Sequence, residues 1–362
     1  MPTSPIIQLL HVALGKAERL DAPLSDEQWF DLLKSADGQA MSAFLFSGIE
    51  RLPEEQKPGR RPLMHWYNKV KRTEEDNHLV DKVAAWATRS FLNDNIRVCL
   101  LKGQGNARQY YPKPMRRQAG DIDLWIDLPV REAIAYAHRF CPGTKATYIH
   151  VEFPVRQDVE IELHYRPAFL CSPFRNHRLQ RLFTELKSAQ FEKTLLLGDT
   201  ERSRVTVPNT EFNAIFLLCH MYKHVFEEGL GLRQLLDYYF LLLNTDADLR
   251  ALTYRRACRL GLKRFAGDVM YIMKHVFLLP DAYLLTAPTE KSGQFLLSEV
   301  MLAGNFGQGD QRYDFKHETQ AQKFVRKLMR NFRFVRNYPE EVLWEPLYRI
   351  YHWCWRKYFG RF

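Results

Sequence analysis

Two aspartates one residue apart, Asp121 and Asp123, lie in the segment Gly120-Asp121-Ile122-Asp123-Leu124. Side chains alternate along a strand, so Ile122 and Leu124 can enter a core while both carboxylates project together from the other face. Carboxylates that close repel each other unless a cation lies between them, and a magnesium ion shared with phosphate oxygens is the usual solution. The same short pattern occurs on solvated strand edges and in metal-dependent glycosyltransferases, so its surroundings must decide. Upstream, Leu100-Leu101-Lys102-Gly103-Gln104-Gly105 places two glycines directly after an apolar run. Exposed backbone N–H groups and missing Cβ atoms at such a turn let a triphosphate approach. Downstream, Val159-Glu160-Ile161-Glu162-Leu163-His164 alternates again and gives Glu160, Glu162 and His164 one polar face. A third carboxylate on a neighbouring strand is what metal-assisted nucleotidyl transfer needs beside the attacking hydroxyl.

Further polar residues could build a substrate cleft. His220, Lys223 and His224 fall three and four positions apart, on one helical face. No Glu directly follows His220, so the zincin motif is absent. Arg233 and Asp237 are also i, i+4 and can pair with each other. Near the C-terminus, Lys323, Arg326, Lys327, Arg330, Arg333 and Arg336 recur at helical spacing, with Phe324, Leu328, Phe332 and Val335 between them. That reads as an amphipathic helix with a solvated basic face; the alternative is an electrostatic track for a nucleic-acid backbone.

These residues need a scaffold, and 362 residues are enough for two or three structural units. The first 95 residues read as helical, with Ser25 and Gln28 set as a capping box and a long helix expected from Leu63 to Asp94 that carries Trp66, Val70, Leu79, Val83, Trp86 and Phe91 on its apolar stripe. From Asn95 the period changes. Ile96 to Leu101 and Asp121 to Ile126 read as strands, Arg131 to Phe140 as a helix, and Thr147 to Val155 with Val159 to Arg166 as strands around a turn at Gln157 and Asp158. Helices are expected again from Thr210, as cap, to Leu243, then over 248–279, 290–303, 318–337 and 341–358. The fold class is thus α+β: a small mixed-sheet core, residues 96–208, embedded between an N-terminal helical region, 1–95, and a C-terminal helical domain, 209–362.

The formal charge is +10, of which residues 323–362 supply a net +7 from ten Lys or Arg and three Glu. That sign attracts nucleotides, nucleic acid or an acidic protein alike. The six cysteines form no Cys-x-x-Cys pair, which argues for reduced thiols rather than a zinc site or disulfides. No apolar run is long enough for a membrane span, and residues 1–10 do not read as a secretory signal. No membrane partner and a cytoplasmic location are expected.

Taken in order, Leu101-Lys102-Gly103, Arg117, Asp121-Ile122-Asp123-Leu124 and Ile161-Glu162-Leu163-His164-Tyr165-Arg166-Pro167 resemble the motifs of the uncharacterised bacterial nucleotidyltransferase family numbered five, within the polymerase-beta-like superfamily. Gly231-Leu232-Arg233-Gln234-Leu235-Leu236-Asp237 and Gly304-Asn305-Phe306-Gly307 extend the resemblance over most of the chain. Gln104 departs from it, standing where the superfamily usually has a second Gly or Ser. The resemblance implies that Asp121, Asp123 and Glu162 bind Mg²⁺ (or Mn²⁺) and carry catalysis. It also implies that Lys102, Gly103 and Arg117 meet the nucleotide phosphates, with Gln104 beside them, and that Arg233 and Asp237 help build the substrate cleft. The polar faces of His164 and of His220, Lys223 and His224 are further candidates to line that cleft. The implied reaction moves a nucleoside monophosphate from an NTP such as ATP to a hydroxyl and releases pyrophosphate. The acceptor can be a small molecule, a protein or RNA, with nucleic acid not favoured. Two rivals remain: a catalytically silent binding or antitoxin-like module with this fold, which Gln104 favours and the intact carboxylate set opposes, and a glycosyltransferase, which the helical N-terminal region opposes.

Overall fold

A computed structural model describes residues 4–307 and 320–359. The N-terminal region is helical: α1 Pro5–Ala13, α2 Asp26–Gly38, α3 Ser42–Ile49 and α4 Arg60–Asn93. The Ser25 hydroxyl and the Gln28 side chain form the expected capping box at α2. The central region holds β1 Val98–Leu101, α5 Gly103–Tyr110, β2 Ile122–Ile126, α6 Val130–Phe140, β3 His150–Glu152, β4 Ile161–His164 and α7 Pro173–Leu186. A hairpin follows, β5 Thr194–Leu196 and β6 Arg204–Thr206. Helices α8 Thr210–Glu227, α9 Leu232–Leu243, α10 Ala247–Arg259, α11 Lys263–His275, α12 Glu290–Ala303, α13 Gln320–Phe332 and α14 Pro339–Phe359 complete the described residues. The result is a mostly helical α+β protein around a small mixed sheet.

Several expectations need correction. Asn209, not Thr210, caps α8, its side-chain oxygen accepting from the Phe212 N–H. The single helix expected over 248–279 is two, α10 and α11, parted by a turn at Gly261. Helix α7 and the β5–β6 hairpin stand where only a sheet was expected. Trp86 is not on the buried stripe of α4; Val80, Ala84, Ala87 and Phe91 are, together with the polar Asn77.

The four-stranded sheet runs β1-β2-β4-β3, with β2 and β4 parallel and the two outer pairs antiparallel. Alternation sends its two faces into different apolar clusters. Val98, Leu100, Ile122, Leu124, Ile161 and Leu163 pack with Val80 to Phe91 of α4 and with Ile134 of α6. Cys99, Leu101 and Trp125 face the other way, into a cluster that joins Trp29 and Trp66 of the N-terminal helices to Phe212 and Phe216 of α8. The 34-residue helix α4 reaches both clusters. The polar residues of β2 and β4 therefore project toward α8 and α9, where a helical wall can close a cleft.

Candidate active site

Register brings the carboxylates together. Asp123 on β2 lies directly beside Glu162 on β4, and the next pair on that face is Trp125 with His164. Asp121 comes just before β2, and oxygens of Asp121, Asp123 and Glu162 lie within 4.8 Å of one another. Asp123 is almost wholly buried, with Lys102 Nζ at 2.7 Å from its Oδ2 and His164 Nε2 at 2.7 Å from its Oδ1. His164 Nε2 also lies 3.0 Å from Glu162 Oε2, and His150 Nδ1 reaches the same oxygen at 2.7 Å.

The charges explain one another. The Asp123 carboxylate, and then burial, raises the pKa of Asp121. Burial opposes ionisation of Asp123 itself, yet Lys102 and His164 hold its pKa below the ordinary value. Glu162 behaves likewise: burial opposes its charge, but His150 and His164 hold it well below the usual carboxylate range. Burial also disfavours the His164 imidazolium, and the Asp123 and Glu162 carboxylates nonetheless push its pKa up to about 9.

Lys102 is placed by the turn from β1 into α5. It adopts φ 53°, rare for a residue with a side chain, and Gly103 follows at φ 40°. A Cβ at Gly103 would meet only the Asp121 carbonyl, at 3.9 Å, so backbone there stays open to the cleft. Gly105 does not. Its position faces the Leu100 carbonyl and Val207, where a Cβ would come within 3.1 and 3.2 Å, so it serves packing rather than phosphate approach.

The opposite wall comes from α8 and α9, whose residues His220, Lys223, His224, Arg233 and Asp237 all line the cleft with Lys102, Gly103, Arg117, His164 and the three carboxylates. His220 and His224 approach at 2.9 Å through their Nε2 atoms. Burial, then the charge of Lys102, lowers the pKa of His220 well below the ordinary histidine value, and burial lowers that of His224 as well. Lys223 pairs with Glu227 at 3.2 Å.

Arg117 lines the cleft and is gripped there by an acidic partner. Its Nε and Nη2 grip the two oxygens of Asp237 at 2.8 Å each, and the Tyr111 hydroxyl donates to the same carboxylate at 2.6 Å. Asp237 therefore pairs with Arg117 and not, as i, i+4 spacing suggested, with Arg233. Arg233 lies beside Asp121, donating to the Gln118 carbonyl at 3.2 Å, and burial with the neighbouring Arg117 charge lowers its pKa to about 10. Gln104 is buried away from the cleft and donates to Asn77 Oδ1 at 3.0 Å. Asn77 in turn donates to the carbonyls of Met115 and Arg117, both at 2.9 Å, and so fixes the segment leading to Asp121. Glu160 is exposed and outside the cleft.

His150 was missed. The turn expected at Gln157 and Asp158 pairs residues whose numbers sum to 315 and sets His150 opposite Tyr165, one position away from the His164 it faces. Asn77 was missed because a polar residue on an apolar stripe does not name its partners.

Residues 25–278 match the family described as uncharacterised nucleotidyltransferase. A crystal structure of an antigenic nucleotidyltransferase-like protein from Paracoccidioides brasiliensis resembles this chain with a TM-score of 0.38 and 14% identity, over 58% of this chain and 94% of that one. No curated protein matches the chain. Among the described residues no helix is long and apolar enough to cross a membrane.

Proposed function

The chain belongs to the uncharacterised nucleotidyltransferase family, and from that premise we propose that it moves a nucleoside monophosphate from an NTP to a hydroxyl of an acceptor, with release of pyrophosphate. The observation that carries this reading is the set Asp121, Asp123 and Glu162 on adjoining strands beside the Lys102–Gly103 turn. The donor set fits a hard divalent cation. It offers three oxygens at close range, one carboxylate raised by its neighbour's charge, and a buried Asp123 Oδ1 without a well-aligned hydrogen bond. Asp121, Asp123 and Glu162 would hold Mg²⁺, which would supply positive charge to offset that of the phosphates.

The chain's own residues do the rest. Gly103 gives the phosphates a backbone they can approach, and Lys102 answers their charge. Arg233, beside Asp121, takes the part first expected of Arg117, whose fork is committed to Asp237. Burial keeps His220 neutral on the wall of the cleft, where its Nε2 meets His224 and adds no charge to compete with the carboxylates. Gln104 supports the site through Asn77 instead of touching phosphate, so its presence does not favour a silent module.

Calorimetric titration with an NTP tests the proposal before any acceptor is known. Wild type binds in a Mg²⁺-dependent manner, and Asp121→Asn and Asp123→Asn each lose that dependence. Asp121→Asn keeps or raises thermal stability because it removes like-charge repulsion, whereas Asp123→Asn lowers it by about 1–3 kcal/mol by stripping Lys102 and His164 of their partner. Mg²⁺-dependent binding that survives in folded Asp121→Asn sinks the reading.

A further inference from the structure

Beside the three carboxylates lies a second donor set of different chemistry. Glu162 and His164 are two residues apart on β4 and share a face; His150 stands directly across from His164 on β3. His150 Nδ1 and His164 Nε2 both point at Glu162 Oε2, at 2.7 and 3.0 Å, and the donor atoms of the three residues fall within 4.8 Å of one another. We propose that His150, Glu162 and His164 form a binding site for one borderline transition ion of the zinc class, next to the all-carboxylate set and sharing Glu162 with it.

Three features separate this arrangement from simple neutralisation of a glutamate. His150 Nδ1 is closed to solvent and, for all its proximity to Glu162, makes no well-aligned hydrogen bond. His164 Nδ1 faces the Arg166 carbonyl at 3.4 Å, which turns Nε2 inward, where an incoming ion replaces its proton; a ring N–H on a backbone carbonyl is the usual support of a metal-bound histidine. The spacing also suits the ion. Tetrahedral zinc with bonds near 2.0 Å keeps its donor atoms about 3.3 Å apart. The observed separations of 2.7 and 3.0 Å reach that with shifts of a few tenths of an ångström.

Donor type sets the selectivity. Mg²⁺ holds oxygen ligands and sheds water reluctantly, while imidazole nitrogens suit zinc, cobalt and their neighbours. Asp123 Oδ1, 2.7 Å from His164 Nε2, borders the site and can serve as a fourth donor. Lys102 stays on the far oxygen of Asp123. Because Glu162 belongs to both sets, an ion on the imidazoles ties up a carboxylate that transfer needs, a consequence that rests on the function proposed above.

The test uses Co²⁺ and Zn²⁺ with the full chain, without nucleotide, so it does not depend on any transfer activity. Wild type takes up a single equivalent of Co²⁺ with visible absorption bands; Zn²⁺ abolishes them stoichiometrically and a large excess of Mg²⁺ does not. His150→Ala, on the edge strand, and His164→Asn each weaken Zn²⁺ binding by at least roughly the tenfold to hundredfold that follows loss of a metal-supporting partner. Should His150→Ala fail to fold, His150→Gln keeps a polar side chain there and shows the same loss. Zn²⁺ affinity and Co²⁺ bands unchanged in either folded His150 variant, or Co²⁺ displaced by Mg²⁺, overturn the proposal.

Discussion

Asp237 anchors one wall of the cleft. Its two oxygens hold Arg117, and with side-chain exposures of 5% for Arg117 and 6% for Asp237 the pair is nearly sealed from water. Burial works against the Arg117 charge, yet Asp237 keeps it firmly protonated. Asp237→Ala strands that charge and costs about 3–5 kcal/mol, the range for removing one partner of a buried pair. Chemical denaturation reads the loss, and a change below about 1 kcal/mol, the worth of an exposed pair, contradicts it. At this scale the sequence was legible where alternation alone decides: Asp121, Asp123, Glu162 and His164 all reach one cleft. It misled where partners come from distant segments. Spacing on α9 offered Asp237 to Arg233, but Arg117 arrives from 120 residues away with a better fork.

Among the elements, α13 shows how a charge pattern can point the wrong way. The expected solvated basic face is partly turned inward. Arg330 is buried and donates to the carbonyls of Val225 and Glu227 at 3.0 Å each, and Arg333 pairs with Glu299 at 2.6 Å. Met329 and Phe332 are instead 71% and 70% exposed. The side chains of Lys323 and Phe324 lie outside the described residues, as do positions 318 and 319 of the expected helix. The physical cause is the end of α8, whose last carbonyls have no partners within their own helix and carry the negative end of its dipole. A guanidinium satisfies both needs, and periodicity cannot distinguish it from one bound for water. Arg330→Ala therefore costs about 2 kcal/mol, the scale of hydrogen bonds to a charged group, while Arg336→Ala at an exposed position changes stability by less than about 0.5 kcal/mol. Equal, small effects on denaturation restore the solvated face. The glycine segments were legible as motifs but not as contacts: a Cβ at Gly231 would come within 2.9 Å of the Asn305 backbone, so these two stretches pack main chain to main chain.

For the whole molecule, two apolar clusters meet across one sheet, and α14 closes against the central region with Glu341 in its first turn. Glu341 is buried, accepts the Cys171 N–H at 3.0 Å, and has its pKa pushed by burial up to about 7 from an ordinary 4.5. The folded state thus holds a proton that the unfolded chain releases. The contribution is complete below about pH 4.5, is lost as pH rises through about 7, and is constant above that. Glu341→Gln removes this dependence, so its thermal stability relative to wild type rises across that window; parallel melting profiles for the two contradict it. The α+β class and the order of strands were readable because strand alternation and turn residues are local. Strands β5 and β6 have three residues each, too few for alternation to show, and the docking of α13 and α14 depends on partners far along the chain, which no local pattern encodes.

The central claim is transfer of a nucleoside monophosphate by the cleft of Asp121, Asp123 and Glu162. The most direct measurement incubates purified protein, Mg²⁺ and a cell extract with each NTP labelled at either the α- or the γ-phosphate, and follows where each label goes. The account predicts that α-label enters an acceptor fraction, γ-label leaves as pyrophosphate, and neither occurs with Asp121→Asn. Transfer of γ-label to the acceptor, or equal α-labelling by the folded Asp121→Asn variant, contradicts it.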